Sequence, residues 1–433
     1  MPASAAVLHP YRVRRNYLGQ VWNYGWSTLR WVRRLRAFHQ RPAEWRETRL
    51  TAELRLLLAR AQEQTLFYPE HFHRAGIQAG DLRAADDLRW FPTVSRRDLQ
   101  SGIERFLTGD LTIRDRDEGI LWRTSGSTGE PVSFFVDGES SKFALALYRF
   151  LGGAPRRPFS SGIVFLCTLP TSSIYSTWLP LFSGNYFRKL HFAEPESEAV
   201  LSRLNPAVIT GDPHSLGRLE EGLRRGTIRV SPRLIVSSAF VLSESLSHSL
   251  AQLTGARIAD CYSIAETGPL AVRCGPGKPF HLLGSAAEIE TDAAGELLVT
   301  NLRNRFLPLI RYRTGDLGEI ASEPCSCGYR GRSVVRLSGR VAERFEDRAG
   351  RSVDPSRVEP VLSRLNLQQF QLVQDGRSRL RLRYVSSSPV SDLSDLERAL
   401  AALLGEAPVL TVERMQHPLW RPGEKPVPYL HSR

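Results

Sequence analysis

Short apolar runs rich in β-branched residues recur through the middle of the chain. They cover 163–169, 207–210, 233–237 and 257–259. Each run is followed by glycine, proline or serine and then by a stretch with helical spacing. This alternation predicts an α/β fold built on a largely parallel sheet. Ligands of such sheets bind beyond the carboxyl ends of the strands, so we expect the functional residues on the loops that follow them.

The pattern of apolar positions changes at both ends of the chain. Residues 1–100 have helical spacing, with a dense run of good helix formers at 50–64. Near the C-terminus, shorter strand and helix patterns alternate as in a small α+β domain. A chain of 433 residues also exceeds the size at which one hydrophobic core usually stops growing. We therefore predict a helical N-terminal region at 1–100 and a core at 101–339, which together form one large domain, followed by a small domain at 340–433.

The composition is that of a folded protein, with 42% hydrophobic and 24% charged residues. The net charge of +13 is compatible with a nucleic-acid surface, a membrane surface or an acidic substrate such as ATP. Much of the excess lies between residues 11 and 60, where Trp22, Trp26, Leu29 and Arg33 fall at helical spacings. These residues predict a basic amphipathic helix that either packs on its own domain or lies on anionic lipid.

Targeting signals and cysteine usage both favour the cytoplasm. Residues 1–20 lack the continuous apolar core of a secretory signal, and polar residues interrupt the longest apolar stretch, at 163–182. Five cysteines, an odd number, fit a reducing compartment better than a disulfide framework. We therefore expect a cytoplasmic protein.

A loop rich in serine, threonine and glycine, T-S-G-S-T-G-E-P-V, covers residues 124–132. Its glycines can expose backbone N–H groups, and its hydroxyls can bind phosphate oxygens. It lacks the G-K-[ST] ending of a Walker A loop, which disfavours a P-loop NTPase. Taken alone, such a run is also typical of a surface turn. The candidate phosphate-binding residues are Thr124, Ser125, Gly126, Ser127, Thr128 and Gly129.

Three further motifs follow this loop in a particular order. The first is Y-S-I-A-E-T-G at 262–268, the second is Y-R-T-G-D at 312–316, and the third is the pair Gly339-Arg340. With these motifs in this order, residues from about 90 to about 430 resemble the adenylate-forming superfamily of acyl-CoA ligases. Within it, the chain is most similar to the phenylacetate–CoA ligase-like branch, which includes capsule-synthesis proteins of the CapK type and coenzyme F390 synthetase. The resemblance implies a large multi-sheet N-terminal domain and a small mobile α+β C-terminal lid.

The resemblance also implies roles for individual residues in ATP binding. Tyr262 would stack on adenine, and Glu266 would help to hold Mg²⁺, which suits a hard carboxylate ligand. Asp316 would accept hydrogen bonds from both ribose hydroxyls, and Arg340 would also reach the ribose. The segment with Ser238 and Ala239 would lie near the base, as would Thr267, although Phe240 replaces a residue that is often acidic in the family.

The family also carries a lysine near its C-terminus that bridges the attacking carboxylate and the α-phosphate. Lys425 stands at a comparable place, where a compact ammonium could neutralise the developing charge. Its proline-rich surroundings differ from the usual context, and a solvated lysine is the alternative. The acidic pair that usually follows the arginine of the domain junction is only partly present, as Ala342 and Glu343.

Four residues have the chemistry of a structural zinc site. The sequence Cys325-Ser326-Cys327-Gly328 is a tight turn that can present two thiolates, and Cys274 with His281 would complete a tetrahedral Cys₃His set. Four protein ligands leave no open position for catalysis, so the ion would be structural. Cys167 and Cys261 stay unassigned, so cysteine number alone does not force this arrangement.

We therefore predict a ligase that uses ATP and Mg²⁺ to convert an aryl or acyl carboxylic acid into an acyl-adenylate. In this reading Lys425, Glu266 and Thr128 are the catalytic residues, coenzyme A is the acceptor in the second step, and nucleic acid is not a partner. Two alternatives stay open. One is transfer to an acceptor other than coenzyme A in capsule polysaccharide or secondary-metabolite synthesis. The other is a membrane-associated interaction protein with a degenerate site.

Overall fold

A computed structural model of the chain divides into two compact units. The first comprises 1–290, 298–314 and 320–335, and the second comprises 291–297, 315–319 and 336–433. The structure describes residues 17–109, 120–123, 132–152, 162–167, 177–178, 186–192, 196–240, 242–275, 277–340, 344–365, 367, 369–386, 388–417, 419 and 428–431.

Residues 17–105 form helices, as their spacing predicts. The helix at Arg96–Gln100, α4, illustrates why a helix begins where it does, because Ser95 and Asp98 form a reciprocal capping box across its first turn. Three short 3₁₀ helices accompany this region, at Ala79–Asp81, Ala85–Trp90 and Ile103–Arg105. The α-helices of the first unit are α1 Tyr17–Gln40, α2 Ala43–Gln64, α3 Phe67–Arg74, α4 Arg96–Gln100, α5 Gly138–Gly152, α6 Ser197–Leu204, α7 Pro213–Arg225 and α8 Glu244–Thr254.

A twelve-stranded sheet with the order β11-β12-β13-β14-β10-β9-β8-β7-β6-β3-β5-β4 dominates the fold. A separate hairpin consists of β1 Ile120–Arg123 and β2 Ser133–Val136. The strands of the large sheet are β3 Ile163–Cys167, β4 Thr177–Trp178, β5 Tyr186–His191, β6 Val208–Gly211, β7 Leu234–Ser238, β8 Arg257–Ile264, β9 Gly268–Arg273, β10 Phe280–Leu282, β11 Ala287–Thr291, β12 Glu296–Asn301, β13 Tyr312–Ala321 and β14 Ser333–Arg340.

The α/β prediction is confirmed, but the sheet is parallel only in part. β5, β3, β6, β7 and β8 pair in parallel, and these include all four apolar runs singled out in the sequence. From β8 onward, β9 pairs antiparallel with β8 and β10, and β10 pairs antiparallel with β14. The connection between β8 and β9 is a tight turn, which permits a hairpin but not a parallel crossover.

The parallel strands are buried on both faces, which explains their continuous apolar runs. On β7, Leu234 and Val236 pack in one cluster, while Ile235 between them packs in another. The first cluster includes Phe143 of α5, and the second includes Leu216 of α7. The loops at the strand ends are thus held by a core on each side of the sheet.

Helix α1 packs against its own unit, which was one of the two alternatives for the basic N-terminal segment. Its buried face includes Trp31 and Leu35, and the ring of Trp31 meets Phe143 edge-on at 5.2 Å. At the start of α5, Glu139 accepts hydrogen bonds from the Nε1 of Trp31 at 3.0 Å and from Arg30 at 2.6 Å. Within the part of the chain that the structure describes, no helix combines the length and the apolar character of a membrane span.

The second unit contains a four-stranded sheet of order β19-β18-β17-β20 with one long helix. Its core includes Leu372, Leu382, Leu400 and Tyr429. Its remaining elements are β15 Phe345–Glu346, β16 Ser352–Val353, 3₁₀ helices Pro355–Val358 and Ser363–Leu365 around α9 Glu359–Leu362, β17 Gln369–Gly376, β18 Arg379–Val385, α10 Ser394–Leu404, β19 Val409–Arg414 and β20 Tyr429–His431.

Candidate active site

Part of the predicted site lies outside the described residues. These residues are Thr124, Ser125, Gly126, Ser127, Thr128 and Gly129 of the loop, together with Lys425. The strands on either side of the loop are described, and they pair antiparallel with Arg123 opposite Ser133. The Ser/Thr/Gly-rich segment therefore connects the two strands of a hairpin. Arg340 is the last residue of β14, and its side chain is also outside the described part.

Glu266 occupies the turn between β8 and β9, where its side chain is buried. The hydroxyl of Tyr312, the first residue of β13, donates a hydrogen bond to its Oε1 at 3.0 Å. The Nη1 of Arg96, at the start of α4, lies 3.7 Å from the same oxygen. Both contacts are made by Oε1. Within the described part of the chain, Oε2 is therefore the oxygen that remains available to a metal ion. A hard carboxylate oxygen is the type of ligand that Mg²⁺ prefers.

Ser238 and Ala239 lie at the carboxyl end of β7, beside β8. Ser238 is paired with Cys261, the residue before Tyr262. Ala239 has a positive φ of 76°, a strained conformation for a residue with a Cβ atom that is typical of functional loops. The fold therefore brings Ser238 and Ala239 close to the strand that carries Tyr262 and Glu266, as expected for the ends of neighbouring parallel strands.

Tyr262 is buried on β8, with its ring 6.5 Å from that of Phe280. Two residues earlier on the same strand, Asp260 projects from the same face of the sheet. Its carboxylate lies 3.6 Å from the Nη1 of Arg273, whose guanidinium sits 4.2 Å from the centre of the Phe280 ring. Burial raises the pKa of Asp260 to about 6, although Arg273 opposes the shift.

Asp260 and Arg273 also line a small, partly open pocket of about 20 Å³. The other lining residues are Leu242, Glu244, Ser247, Ile258 and Gly275. The Oδ2 of Asp260 has no hydrogen-bond partner among the described residues. Sequence reasoning missed this pair because the two residues form no recognisable spacing and meet only through strand pairing.

Asp316 lies on β13, four positions after Tyr312, and is nearly buried. The preceding Gly315 has a positive φ of 77°, and its N–H donates to the Oε1 of Glu296 at 2.9 Å. This glycine bends the backbone beside Asp316, in agreement with the need for glycine in the Y-R-T-G-D motif. Tyr312, from the same motif, was not assigned a role from the sequence. A tyrosine in an apolar strand context carries no signal that it will bond a carboxylate far away in the chain.

The four candidate zinc ligands lie together in the first unit. The ligand atoms of Cys274, His281, Cys325 and Cys327 are all within 4.8 Å of one another. The sulfurs of Cys274 and Cys325 are 3.7 Å apart, and the sulfur of Cys327 is 3.7 Å from the Nε2 of His281. A tetrahedron with bonds of about 2.3 Å has edges of about 3.8 Å, so these separations suit zinc.

The surroundings of the four ligands also suit a metal ion. Burial lowers the pKa of His281 to about 4, which keeps the imidazole neutral and able to bind a metal. Burial raises the pKa of Cys274 to about 12, so its thiolate needs a compensating charge, which a metal ion would supply. The ring of Tyr329 stacks on His281 at 4.2 Å, and its hydroxyl donates to the carbonyl of Leu282 at 2.8 Å. This stacking fixes the imidazole plane.

Comparisons with known proteins find relatives of similar sequence and solved structures of similar fold. The chain is 24% identical to a phenylacetate–coenzyme A ligase of Thermus thermophilus over 342 residues, which are 71% of this chain and 73% of that protein. It is also 24% identical to the phenylacetate–coenzyme A ligase of Escherichia coli, over 71% of this chain and 74% of that protein. No protein-family model matches the chain.

Among solved structures, a 2-hydroxyisobutyryl-CoA ligase in the postadenylation state, in complex with R3-HIB-AMP, has a similar fold. The TM-score is 0.72 at 19% sequence identity, with 92% of each chain covered. At this identity the likeness concerns the fold alone. The predicted resemblance to phenylacetate–CoA ligase-like adenylate-forming proteins is thereby confirmed.

Proposed function

We propose that this phenylacetate–CoA ligase-like chain activates an aryl or acyl carboxylic acid as an acyl-adenylate and then transfers the acyl group to coenzyme A. The observation that carries the proposal is the position of Glu266. Its buried carboxylate follows β8, and beside that strand β7 ends at Ser238. This is the place at which an α/β sheet binds its ligands. The sequence similarity to two phenylacetate–coenzyme A ligases supports the same chemistry.

In the first half-reaction, a carboxylate oxygen of the acid attacks the α-phosphorus of ATP. A new P–O bond forms, and the bond to the bridging oxygen of the β-phosphate breaks to release pyrophosphate. The protein contributes mainly positioning and charge neutralisation to such a reaction. We assign phosphate contacts to 124–129, base stacking to Tyr262 and ribose contacts to Asp316 and Arg340. Lys425 neutralises charge on the carboxylate and the α-phosphate.

The remaining ATP-site residues have supporting roles in the proposal. Ser238, Ala239 and Thr267 would border the adenine, and Glu266, whose Oε1 is contacted by Tyr312 and Arg96, would hold Mg²⁺. When bound, Mg²⁺ neutralises charge on the phosphate oxygens of ATP. The hydrogen bond from Tyr312 fixes the direction in which the Glu266 carboxylate faces.

In the second half-reaction, the thiol sulfur of coenzyme A attacks the carbonyl carbon of the acyl-adenylate. A C–S bond forms, the C–O bond to AMP breaks, and the thiol proton is released. We propose that the lid at 340–433 rotates about the Gly339–Arg340 junction between the two steps, which withdraws Lys425 and admits the thiol.

Product analysis tests this proposal. The purified chain is incubated with ATP, Mg²⁺, coenzyme A and a panel of aryl and short acyl acids, and the products are identified by mass spectrometry. We expect equal amounts of AMP and acyl-CoA with at least one acid. Formation of AMP without acyl-CoA, but with modification of another acceptor, would instead favour transfer in capsule or secondary-metabolite synthesis. Absence of AMP with every acid contradicts the proposal.

We also propose a structural zinc ion at Cys274, His281, Cys325 and Cys327, supported by their sulfur and nitrogen separations. The ion would join the start of the loop after β9 to the turn at 325–328. Sites of this kind need reduced thiols, which is consistent with the cytoplasmic location that we propose for the chain.

A peripheral membrane contact through α1 is a second, separable proposal. The face of α1 opposite its buried side exposes Trp26 by 58% and Leu29 by 41%. Arg30, Arg33 and Arg36 are exposed along the same helix. An exposed tryptophan and leucine among arginines suit the interface of an anionic lipid surface.

A further inference from the structure

Arg303 is an unusual residue because its guanidinium is buried in the large unit. Only 3% of the residue is exposed, and its cationic carbon lies 4.3 Å from the centre of the Phe143 ring on α5. Burial lowers the pKa of Arg303 to about 10, although the nearby Asp137 carboxylate opposes the shift. A cation in such a place is costly unless its contacts are specific, so its position needs an explanation.

The hydrogen bond of Arg303 is to the turn that carries Glu266. Its Nη2 donates to the backbone carbonyl of Thr267, the residue between Glu266 and Gly268. Gly268 has a positive φ of 78°, a conformation that glycine adopts without strain and that closes the turn at the point that Arg303 holds. The contact fixes the backbone of the turn directly after the candidate metal ligand.

The next residue in the chain holds a second part of the site. The Nδ2 of Asn304 donates to the carbonyl of Phe135 on β2 at 2.6 Å, and β2 is the strand that follows the Ser/Thr/Gly-rich loop. The Oδ1 of Asn304 accepts from the N–H groups of Phe306 and Leu307 at 3.1 and 3.0 Å, and so holds its own loop in shape. All of these groups are buried, which makes the bonds stronger than on a surface.

The adjacent residues Arg303 and Asn304 thus donate hydrogen bonds to two segments that are far apart in sequence, the turn of Glu266 and strand β2. We propose that Arg303 and Asn304 are positioning residues that hold the turn of Glu266 and strand β2 at a fixed separation for binding Mg²⁺ and ATP. Arg303 also stacks on Phe143 of α5, and α5 begins directly after β2. Arg303 therefore contacts both the turn of Glu266 and the helix that follows β2. The inference rests on the proposed function, because it assigns the two segments to one nucleotide.

The inference predicts an effect on Mg²⁺ and ATP that is separate from the effect on the acid. Arg303→Met keeps most of the apolar stem and removes the donor to Thr267. We expect the half-saturating Mg²⁺ concentration and the KM for ATP to rise about tenfold in acid-dependent ATP–pyrophosphate exchange, since the variant loses a hydrogen bond from a charged group. The KM for the acid should change less than twofold, because the proposal assigns Arg303 no direct contact with the acid.

A conservative variant and a matched control complete the design. Arg303→Lys keeps a buried cation that can donate to Thr267, so it should restore part of the Mg²⁺ affinity that R303M loses. Arg305→Met removes an exposed arginine side chain of the same loop and should behave like the wild type. Melting temperatures are measured for each protein, to separate a lost fold from a misplaced site.

Three results would overturn the inference. They are unchanged Mg²⁺ and ATP dependence in R303M, an equal rise in the KM for the acid, and an equal effect of R305M. If R303M does not fold, Asn304→Ala, which removes the hydrogen bond to Phe135, decides in its place, and wild-type Mg²⁺ and ATP dependence in that variant overturns the inference. An inactive wild type with every acid contradicts the proposed function instead, so the two failures are distinguishable.

Discussion

The hydroxyl of Tyr312 donates a hydrogen bond to Oε1 of Glu266 at 3.0 Å, and this bond joins the first residue of β13 to the turn after β8. Tyr312→Phe removes only that donor and leaves Arg96, at 3.7 Å, as a remaining contact that orients the carboxylate. We expect the Mg²⁺ requirement of adenylate formation to increase by about tenfold, the value for a hydrogen bond to a charged group. Titration of activity with Mg²⁺ measures the change. Tyr384→Phe, in the core of the second unit, is the control and should leave the Mg²⁺ requirement unaltered.

The cysteine and histidine cluster predicts about one tightly bound zinc ion per chain. Metal analysis of the purified protein should find it, and Cys325→Ser or Cys327→Ser should lose it together with some thermal stability. Cys261→Ala, a buried cysteine outside the cluster, should retain zinc. Metal-free wild-type protein in which the thiols of Cys274, Cys325 and Cys327 are all freely titratable would refute the site.

The buried Asp260 predicts a pH-dependent stability. Because burial raises its pKa to about 6 in the folded chain, the ionised carboxylate is disfavoured by folding. The loss of folding stability caused by the ionised carboxylate is absent below the unfolded pKa of about 4. It is fully present above about pH 6, where it amounts to at most about 3 kcal/mol. Asp260→Asn should therefore melt at a higher temperature than wild type at pH 7.5, with the difference vanishing near pH 4. A variant that melts lower at pH 7.5 would show that the pairing with Arg273 outweighs burial.

The exposed face of α1 predicts binding to anionic vesicles. A Trp26→Ser, Leu29→Ser double variant should bind phosphatidylserine-containing vesicles several-fold more weakly than wild type in co-sedimentation, because it removes the apolar side chains that would enter the interface. Trp90→Ser is the matched control, since Trp90 is also exposed, at 65%, but lies in a 3₁₀ helix elsewhere. Equal vesicle binding by wild type and the double variant would exclude this face as a membrane contact.

Sequence reasoning predicted best where a local pattern determines the structure. The apolar runs at 207–210 and 233–237 became β6 and β7 because parallel strands are buried on both faces. The C-x-C turn and its distant partners Cys274 and His281 lie together, as the zinc hypothesis requires.

The contacts that sequence could not predict are those made by the three-dimensional approach of distant segments. Tyr312 to Glu266, Asp260 to Arg273 and Arg303 to Thr267 each join different strands or loops, and each uses common residue types without a spacing rule. The same limit explains the antiparallel part of the sheet, where short strands such as β10 carry too few residues to show an alternation.

The most direct test of the central claim is ATP–pyrophosphate exchange in the absence of coenzyme A. Wild-type protein should exchange pyrophosphate into ATP only when Mg²⁺ and a suitable carboxylic acid are both present. Glu266→Gln, which keeps the shape of the side chain and removes its charge, should lower the exchange rate by about a hundredfold, the typical effect of removing one group that stabilises transition-state charge. Exchange that needs no acid, or an unchanged rate in E266Q, would contradict the proposal that this site forms an acyl-adenylate.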